Sequence, residues 1–283
     1  MPKKSGADKP KTGQGLEYHL HTAPKDLAPL CITVGAQGRV QLIGGLLKDT
    51  KYFTNKYRGL ISCTGTYKGQ KISICASGMG GPSLGITSPE AIRCGARIII
   101  RVGSCATLIR EASVKQSIIV NAAVRFDGAS LDWAPIEVPA VADYRVVTTL
   151  EAAAQKIAPQ DYWVGNEVTT TCFNVGQGRP DLSGVIPPRM MARHKEMIRL
   201  KMACYSMEAA SLFIYCMSQG IYLPSGAINA IYGNRITNKW STEDEREAGD
   251  MQASMIALEA LLILAQNPRM QYYMNLKLPK PRR

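Results

Sequence analysis

The sequence predicts an α/β fold: a single domain in which helices cover a largely parallel or mixed sheet. Three features of the chain predict it. Short apolar, β-branched runs recur along its length, helical patterns of roughly a dozen residues separate several of them, and glycine bounds many of the runs. At 283 residues the chain suits one domain large enough to bury most of its surface.

Leu30–Val34 (LCITV) is apolar at almost every position, as a strand covered on both faces requires, and Arg39–Leu47 follows with helical spacing. Lys71–Ala76 (KISICA) is the next strand, and Gly81–Cys94 the next helix, entered through a glycine turn. Arg97–Val102 (RIIIRV) and Ser117–Val124 (SIIVNAAV) are strands by their branched side chains, and Thr148–Ile157 is a helix. Met202–Tyr205 and Ala227–Tyr232 read as short strands on either side of the helix Glu208–Gln219, and Glu243–Ala265 is the closing helix. No internal repeat or linker interrupts the stretch from Thr22 to Asn267. The domain is therefore expected over 15–267, between a flexible basic N-terminal tail, 1–14, and a basic C-terminal tail, 268–283.

A net charge of +12 suggests nucleic acid until it is located. The two tails carry +3 and +5, which leaves about +4 on the body. Solvated tails and no nucleic-acid partner are expected, because no zinc finger, RNA-binding aromatic pattern or basic helix accompanies the lysines. The apolar runs are shorter than a bilayer span, and the N-terminus, Met-Pro-Lys-Lys, lacks an apolar signal core. A soluble cytoplasmic protein without membrane contact is expected. Eight cysteines stand singly, with no C-x-x-C pair, and the three histidines, at 19, 21 and 194, complete no zinc-ligand spacing. Reduced, buried thiols are the expectation.

In open α/β sheets, ligands bind beyond the carboxyl ends of the strands. Here Gly35-Ala-Gln-Gly-Arg39 follows the first strand and Ser77-Gly78 the second, while Arg101 is expected at a strand end with Gly103-Ser104 beyond it. Met207-Glu208 and Gly233-Asn234-Arg235 follow two more. Arg39, Arg101 and Arg235 on one rim, with glycines that let a ligand approach backbone N–H groups, point to a small oxyanion, most simply phosphate. No GxGxxG opens a helix and no GxxxxGK[ST] occurs, so nicotinamide and ATP readings lack their signal.

These segments resemble the nucleoside phosphorylases, and among them the uridine phosphorylases, from about His19 to Ala265. The matching stretches are Gly35-Ala-Gln-Gly-Arg39-Val, Gly78-Met-Gly-Gly-Pro-Ser83, Arg101-Val-Gly-Ser104, RFDGASLDWAP over Arg125–Pro135, and Pro139-Ala-Val-Ala-Asp143. Phe173-Asn-Val-Gly-Gln177-Gly-Arg179, Tyr205-Ser-Met207-Glu208 and Asn234-Arg235 complete them. Each turn alone is weak evidence; their joint order and spacing make a strong match.

The resemblance implies a three-layer α/β/α domain around a mixed, partly barrel-like sheet, and the reversible phosphorolysis of uridine to uracil and ribose 1-phosphate in pyrimidine salvage. By resemblance, Gly35, Arg39, Arg101 and Ser104 form a phosphate cradle, to which a neighbouring subunit adds Arg58. Met207 and Glu208 match a ribose-binding pair, and His19 a histidine that reaches the sugar from across the subunit interface. Phe173, Gln177 and Arg179 match the uracil pocket, with Arg235 beside them; Arg101, Glu208, Gln177 and Arg179 are the expected catalytic groups. A homo-oligomer with shared sites is implied, either a dimer or a hexamer built as a trimer of dimers. Phosphate would be a co-substrate, and no cofactor or metal is expected, since Gly59 stands where some relatives place a cation-holding glutamate.

The chemistry suits those residue types. Breaking an N-glycosidic bond leaves positive charge on the sugar and negative charge on the base, so an enzyme need only place phosphate and neutralise the departing base. Gln177 can donate and accept at a uracil edge, and Arg179 supplies cationic donors. A purine leaving group would call for a carboxylic acid near the base, and Gly233-Asn234-Arg235 offers none. A purine or broad-specificity phosphorylase and a low-activity binding paralogue remain as alternatives. The second is motivated by Ser206, where the bacterial pattern has another glutamate, and by Ala106, where it has glycine; Cys105 takes a threonine-like place beside it. His194, in a basic stretch of the loop Pro180–Lys195, is expected to be solvated, Asp127 to form a turn, and Thr237–Glu243 to be a mobile lid segment carrying Trp240.

Overall fold

Among residues 6–279, which a computed structural model describes, eleven strands join in one mixed sheet. In chain order the elements are β1 (Leu30–Val34), α1 (Gln37–Gly44), β2 (Lys48–Asn55), β3 (Leu60–Tyr67), β4 (Gln70–Ala76), α2 (Gly80–Cys94), β5 (Ile98–Thr107) and β6 (Ser117–Phe126). Then come β7 (Ala140–Val141), α3 (Tyr144–Ile157), β8 (Tyr162–Thr170), α4 (Pro188–Arg199), β9 (Cys204–Ser206) and α5 (Ala209–Ser218). The chain ends in β10 (Ser225–Asn234), β11 (Lys239–Trp240), α6 (Glu243–Gln266) and α7 (Pro268–Met274).

Five strands close on themselves. β5 pairs in parallel with β10, β10 antiparallel with β6, β6 in parallel with β8, β8 in parallel with β9, and β9 antiparallel with β5. From β5 the sheet also runs outward through β1 and β4, both parallel, to the antiparallel hairpin β3–β2. Successive side chains of the central strands face opposite ways. Leu30, Ile32 and Val34 join Ile98, Ile100 and Val102 in a core packed with residues of α1, α3 and α6, whereas Cys31 and Ile99 face the core holding Leu84, Leu212 and Phe213 of α2 and α5. This is the three-layer, partly barrel-like sheet that the resemblance implies.

Several boundaries differ from the sequence reading. β5 runs on to Thr107, so Arg101 and Ser104 lie within the strand rather than at its end. The reason is pairing: Gly103 and Ser104 stand opposite Asn229 and Ala230, and Thr107 opposite Cys204, so partner strands carry the ladder past the apolar run. β10 likewise includes Gly233 and Asn234. β2 and β3 left little apolar signal because β2 buries only Phe53 and Asn55. The basic loop over Pro180–Lys195 becomes helical from Pro188, where proline starts a helix at no hydrogen-bonding cost. Thr237–Glu243 is pinned rather than lid-like: Lys239 and Trp240 pair with Asn234 and Gly233, and Trp240 lies against Gly233.

The tails also dock more than expected. Lys11 pairs with buried Glu17, which Arg93 also grips, while Lys3 and Lys4 lie outside the described residues. At the other end, α7 buries Met270 completely, and the Leu276 carbonyl accepts from Arg97 Nε at 2.7 Å; Lys280, Arg282 and Arg283 lie outside the described residues. Seven cysteines are buried, whereas Cys172 is exposed. α6 is long and apolar enough to cross a bilayer by length and composition, but it lies in the core, with Ala253, Ile256, Ala257, Leu261 and Leu264 buried.

Two substitutions test this account. Gly95 ends α2 at φ 142°, and a Cβ there would stand 2.0 Å from the Leu27 carbonyl oxygen. Gly95→Ala should therefore cost roughly 3 kcal/mol or more in denaturant unfolding. Thr242→Ala removes one half of the capping box that starts α6, and should cost only about 1 kcal/mol.

Candidate active site

Arg101 is 4% exposed in the wall of the closed ring, an unusual place for a charge. It can lie there because residue 103 is glycine: a Cβ would stand 1.5 Å from Arg101 Nη1, so any side chain would displace the guanidinium. Nη1 donates to Asn229 Oδ1 at 2.9 Å, and Nη2 pairs with the carboxylate of Glu208. Glu208 lies just before α5, and its other oxygen accepts from the Gly80 backbone N–H at 2.7 Å, at the start of α2. Met207 is half-buried and brings its methyl group within 4.0 Å of the Cβ position of Gly80. Gly35 completes this side. Its own Cβ position is 3.4 Å from the Gly78 carbonyl oxygen and 4.0 Å from Arg101 Nη2, and Ser104 follows, half-buried, on β5.

Arg39 also reaches β5 but is largely committed. It donates to the Val102 carbonyl at 3.2 Å and to Tyr232 Oη at 3.0 Å, and pairs with Asp250 at 3.1 Å. One nitrogen on each rim arginine is still unused: the Nε atoms of Arg39, Arg101 and Arg235 are buried without a partner among the described residues. Buried donors are almost always satisfied, so three unpaired guanidinium N–H groups set these arginines apart.

A second cluster forms on the one-turn helix Val175–Gln177 and the left-handed Gly178 that follows. Gln177 is 2% exposed and donates to Thr170 Oγ1 at 3.2 Å, while its oxygen accepts from Arg179. The Arg179 guanidinium lies 4.0 Å from the Phe173 ring centre and donates to the Phe173 carbonyl at 2.8 Å. Burial, reinforced by neighbouring Arg235, pulls the Arg179 pKa down to about 10. Arg235 reaches back to the Gly178 carbonyl at 2.8 Å. The two clusters meet through Thr170, whose hydroxyl also contacts the Ser206 carbonyl at 3.4 Å, two residues before Glu208.

His194, expected in solvent, instead packs against this second cluster. Its ring occupies the space beside Gly178, where a Cβ would come within 2.5 Å of it, and its Nδ1 meets Tyr205 Oη at 3.0 Å. Burial and the charges of Arg235 and Arg179 push its pKa down. Asp127 does form a turn, accepting from Ser130, and it also ties that turn to Ser211 of α5.

His19 and Arg58 are not brought to these groups within one chain. His19 pairs through Nδ1 with Glu90 at 2.8 Å. Glu90 is ten residues beyond Gly80 on α2, about 15 Å along the axis. Arg58 is exposed on the turn between β2 and β3. Both segments hang on buried Asn55, which donates to the Tyr18 and His19 carbonyls at 3.0 and 2.9 Å and accepts from the Tyr57 and Arg58 N–H groups at 3.0 and 3.2 Å.

Sequence reasoning missed Asn229 and Glu167. Asn229 is the one amide within the apolar run of β10, a signal in itself. Glu167 is fully buried on β8 and accepts from Thr169 Oγ1 at 2.7 Å, Asn229 Nδ2 at 2.9 Å and the Ala209 N–H at 3.3 Å. Burial pushes its pKa up, opposed chiefly by Arg101. A concavity of about 800 Å³ lies elsewhere among the described residues, bordered by Lys25, Lys51, Lys71, Arg97 and Asn275. The buried charged and polar groups converge on a different place. There, one guanidinium can hold a tetrahedral oxyanion beside a carboxylate suited to hydroxyl donors, with an amide–arginine pair one strand away for a planar polar ring.

A profile of the phosphorylase superfamily matches residues 29–264. A uridine phosphorylase of Thermococcus kodakarensis is 34% identical over 262 residues, 92% of this chain and 91% of that protein. One from Salmonella typhimurium is 32% identical over 86% of this chain and 96% of its own length. A DeoD-type purine nucleoside phosphorylase of Streptococcus suis is more distant, at 26% identity over 87% of this chain and 99% of its own length.

Gly103→Ala tests the oxyanion reading without assuming a nucleoside. Displacing the guanidinium should weaken phosphate binding, measured by calorimetry, by on the order of tenfold or more, while the melting temperature shows whether the ring stays closed.

Proposed function

This chain belongs to the phosphorylase superfamily, and from that premise we propose that it is a uridine phosphorylase, converting uridine and phosphate reversibly to uracil and ribose 1-phosphate. The observation that carries the reading is the buried Arg101, paired with Glu208, with its Nη2 4.0 Å from the Cβ position of Gly35, where the chain also meets the Gly78 carbonyl.

In the absence of substrate, Arg101 and Glu208 satisfy each other. Phosphate arriving between Gly35, Ser104 and Arg101, with Arg39 behind them, takes over the guanidinium. Glu208 is then free to accept from the sugar hydroxyls, with Met207 against the ribose face. A buried pair is thus exchanged for two charge-assisted sets of hydrogen bonds, and no charge is left unanswered. A phosphate oxygen then forms a bond to C1′ as the bond from C1′ to the ring nitrogen breaks, and its electron pair leaves with uracil. Gln177, Arg179 and Arg235 meet that negative charge, Phe173 offers its ring face once Arg179 turns to the base, and the uracil nitrogen takes up, through solvent, the proton that hydrogen phosphate loses on becoming the sugar phosphate.

Pyrimidine selectivity has a local cause. Asn234, at the end of β10, is consumed by structure: its amide donates to the carbonyls of Ile109, Arg110 and Ala112 at 2.9, 3.2 and 2.9 Å, and its oxygen accepts from Ile236 and Thr237. That leaves no acid there to protonate a purine nitrogen. His19 and Arg58, each held away from the site of its own chain, serve a neighbour's site, which makes the working unit a homodimer or a hexamer of three such dimers. Phosphate is a co-substrate, no cofactor is required, and the site of action is the cytoplasm.

The reading is tested by uracil release from uridine. Release should require phosphate, and inosine at equal concentration should give little product; phosphate-independent release would indicate a hydrolase. Gln177→Ala should lower kcat/KM for uridine by on the order of 10²-fold while phosphate affinity stays near wild type. Arg58→Ala should lose activity alone and regain part of it when mixed with Arg101→Ala, since mixed oligomers restore one complete site. Absence of complementation would place Arg58 in its own chain's site.

A further inference from the structure

Glu167 is a fully buried carboxylate that the reaction just described does not use, and its partners lie on both halves of the Arg101–Glu208 pair. One oxygen accepts from Asn229 Nδ2, and Asn229 Oδ1 in turn accepts from Arg101 Nη1. The other accepts from the Ala209 N–H, the first residue of α5 after Glu208. Thr169 Oγ1 donates to that same oxygen and accepts from the Ala210 N–H at 3.1 Å, extending the hold on the helix start by one residue.

The polarity of this chain of contacts is forced. A guanidinium only donates and an ionised carboxylate only accepts. An amide placed between them must show its oxygen to Arg101 and its NH2 group to Glu167. Every contact Glu167 makes is from a donor, as an ionised group requires, and Arg101 favours that form although burial and Glu208 oppose it. At the other end, α5 presents free N–H groups that a carboxylate suits.

We propose that Glu167 is a positioning residue for both co-substrates: through Asn229 it orients Arg101 on phosphate, and through the first N–H groups of α5 it sets Glu208 on the sugar. The proposal rests on the phosphorolysis reading for its second half; its first half concerns phosphate alone. Replacing the carboxylate by its amide makes the cost visible. A glutamine NH2 turned towards residue 229 would face another NH2, and the side chain of Asn229 relieves this by flipping. The flip presents a donor to Arg101, which then loses its acceptor and its fixed direction.

The experiment uses the full chain, with phosphate and uridine varied separately and phosphate binding followed by calorimetry without nucleoside. Asn229→Ala leaves Glu167 with Thr169 and Ala209, so it should raise the phosphate KM and Kd on the order of tenfold and leave the uridine KM within about threefold. Glu167→Gln should raise the KM for both co-substrates on the order of tenfold, whereas Gln177→Ala moves uridine alone. A purely structural role would lower the melting temperature and the active fraction while both KM values stay put. That result, a phosphate Kd within twofold of wild type in Asn229→Ala, or loss of fold in both variants, overturns the proposal. A wild-type protein that binds phosphate but releases no uracil sinks the uridine reading instead, and the calorimetric comparison then still decides the Arg101 half.

Discussion

A guanidinium buried in the wall of a closed ring of strands must have its charge answered from inside the protein. Arg101 is answered by Glu208, which precedes α5, and by Asn229 on β10, and space for it exists because Gly103 carries no side chain. Those partners come from separate parts of the chain, so holding one charge draws β5, β10, α5 and the start of α2 to a common point. On the proposed reading the same requirement serves the reaction: the pairing is exchanged for an oxyanion and hydroxyls rather than simply broken.

The ring of strands supplies the rigidity that such an exchange needs. β5 contributes Arg101 and Ser104, β10 contributes Asn229 and leads to Arg235, and β8 and β9 contribute Glu167, Thr170 and Ser206. Every one of these strands is paired on both sides within the ring. By contrast, His19 and Arg58 sit on the outer hairpin and the N-terminal segment, fastened to each other's neighbourhood by Asn55. On the proposed reading, this division between a stiff centre and an outer segment is what a site completed by a second copy requires.

Strands with continuous branched apolar runs were legible with little error. Leu30–Val34 is read with its observed limits, and Gly80–Cys94 and Glu243–Gln266 shift by a residue at one end. Elements whose stability comes from pairing were not. β2 is polar on most of its length, the second half of β5 carries Gly-Ser, and α4 is basic with one buried residue, Met197. Among candidate site residues, the rim arginines stood out only jointly, because three cations and glycine turns on one rim suit an oxyanion whereas each arginine alone suits a structural pair. Glu167 did not, since a lone glutamate in a run of mixed polarity gives no hint that both faces of its strand will be covered.

Sequence alone determined the fold class and the order of the main elements, and brought out the arginines and glycine turns read as an oxyanion site, because apolar periodicity and glycine turns are local properties written into neighbouring residues. Tertiary structure alone decided that Arg101 lies inside a strand and faces Glu208, that His194 packs beneath the Gln177 turn, and that Glu167 reaches Asn229. Those outcomes join residues from 16 to 107 positions apart. They depend on ring closure and on the balance of buried charge, quantities that no window of sequence contains.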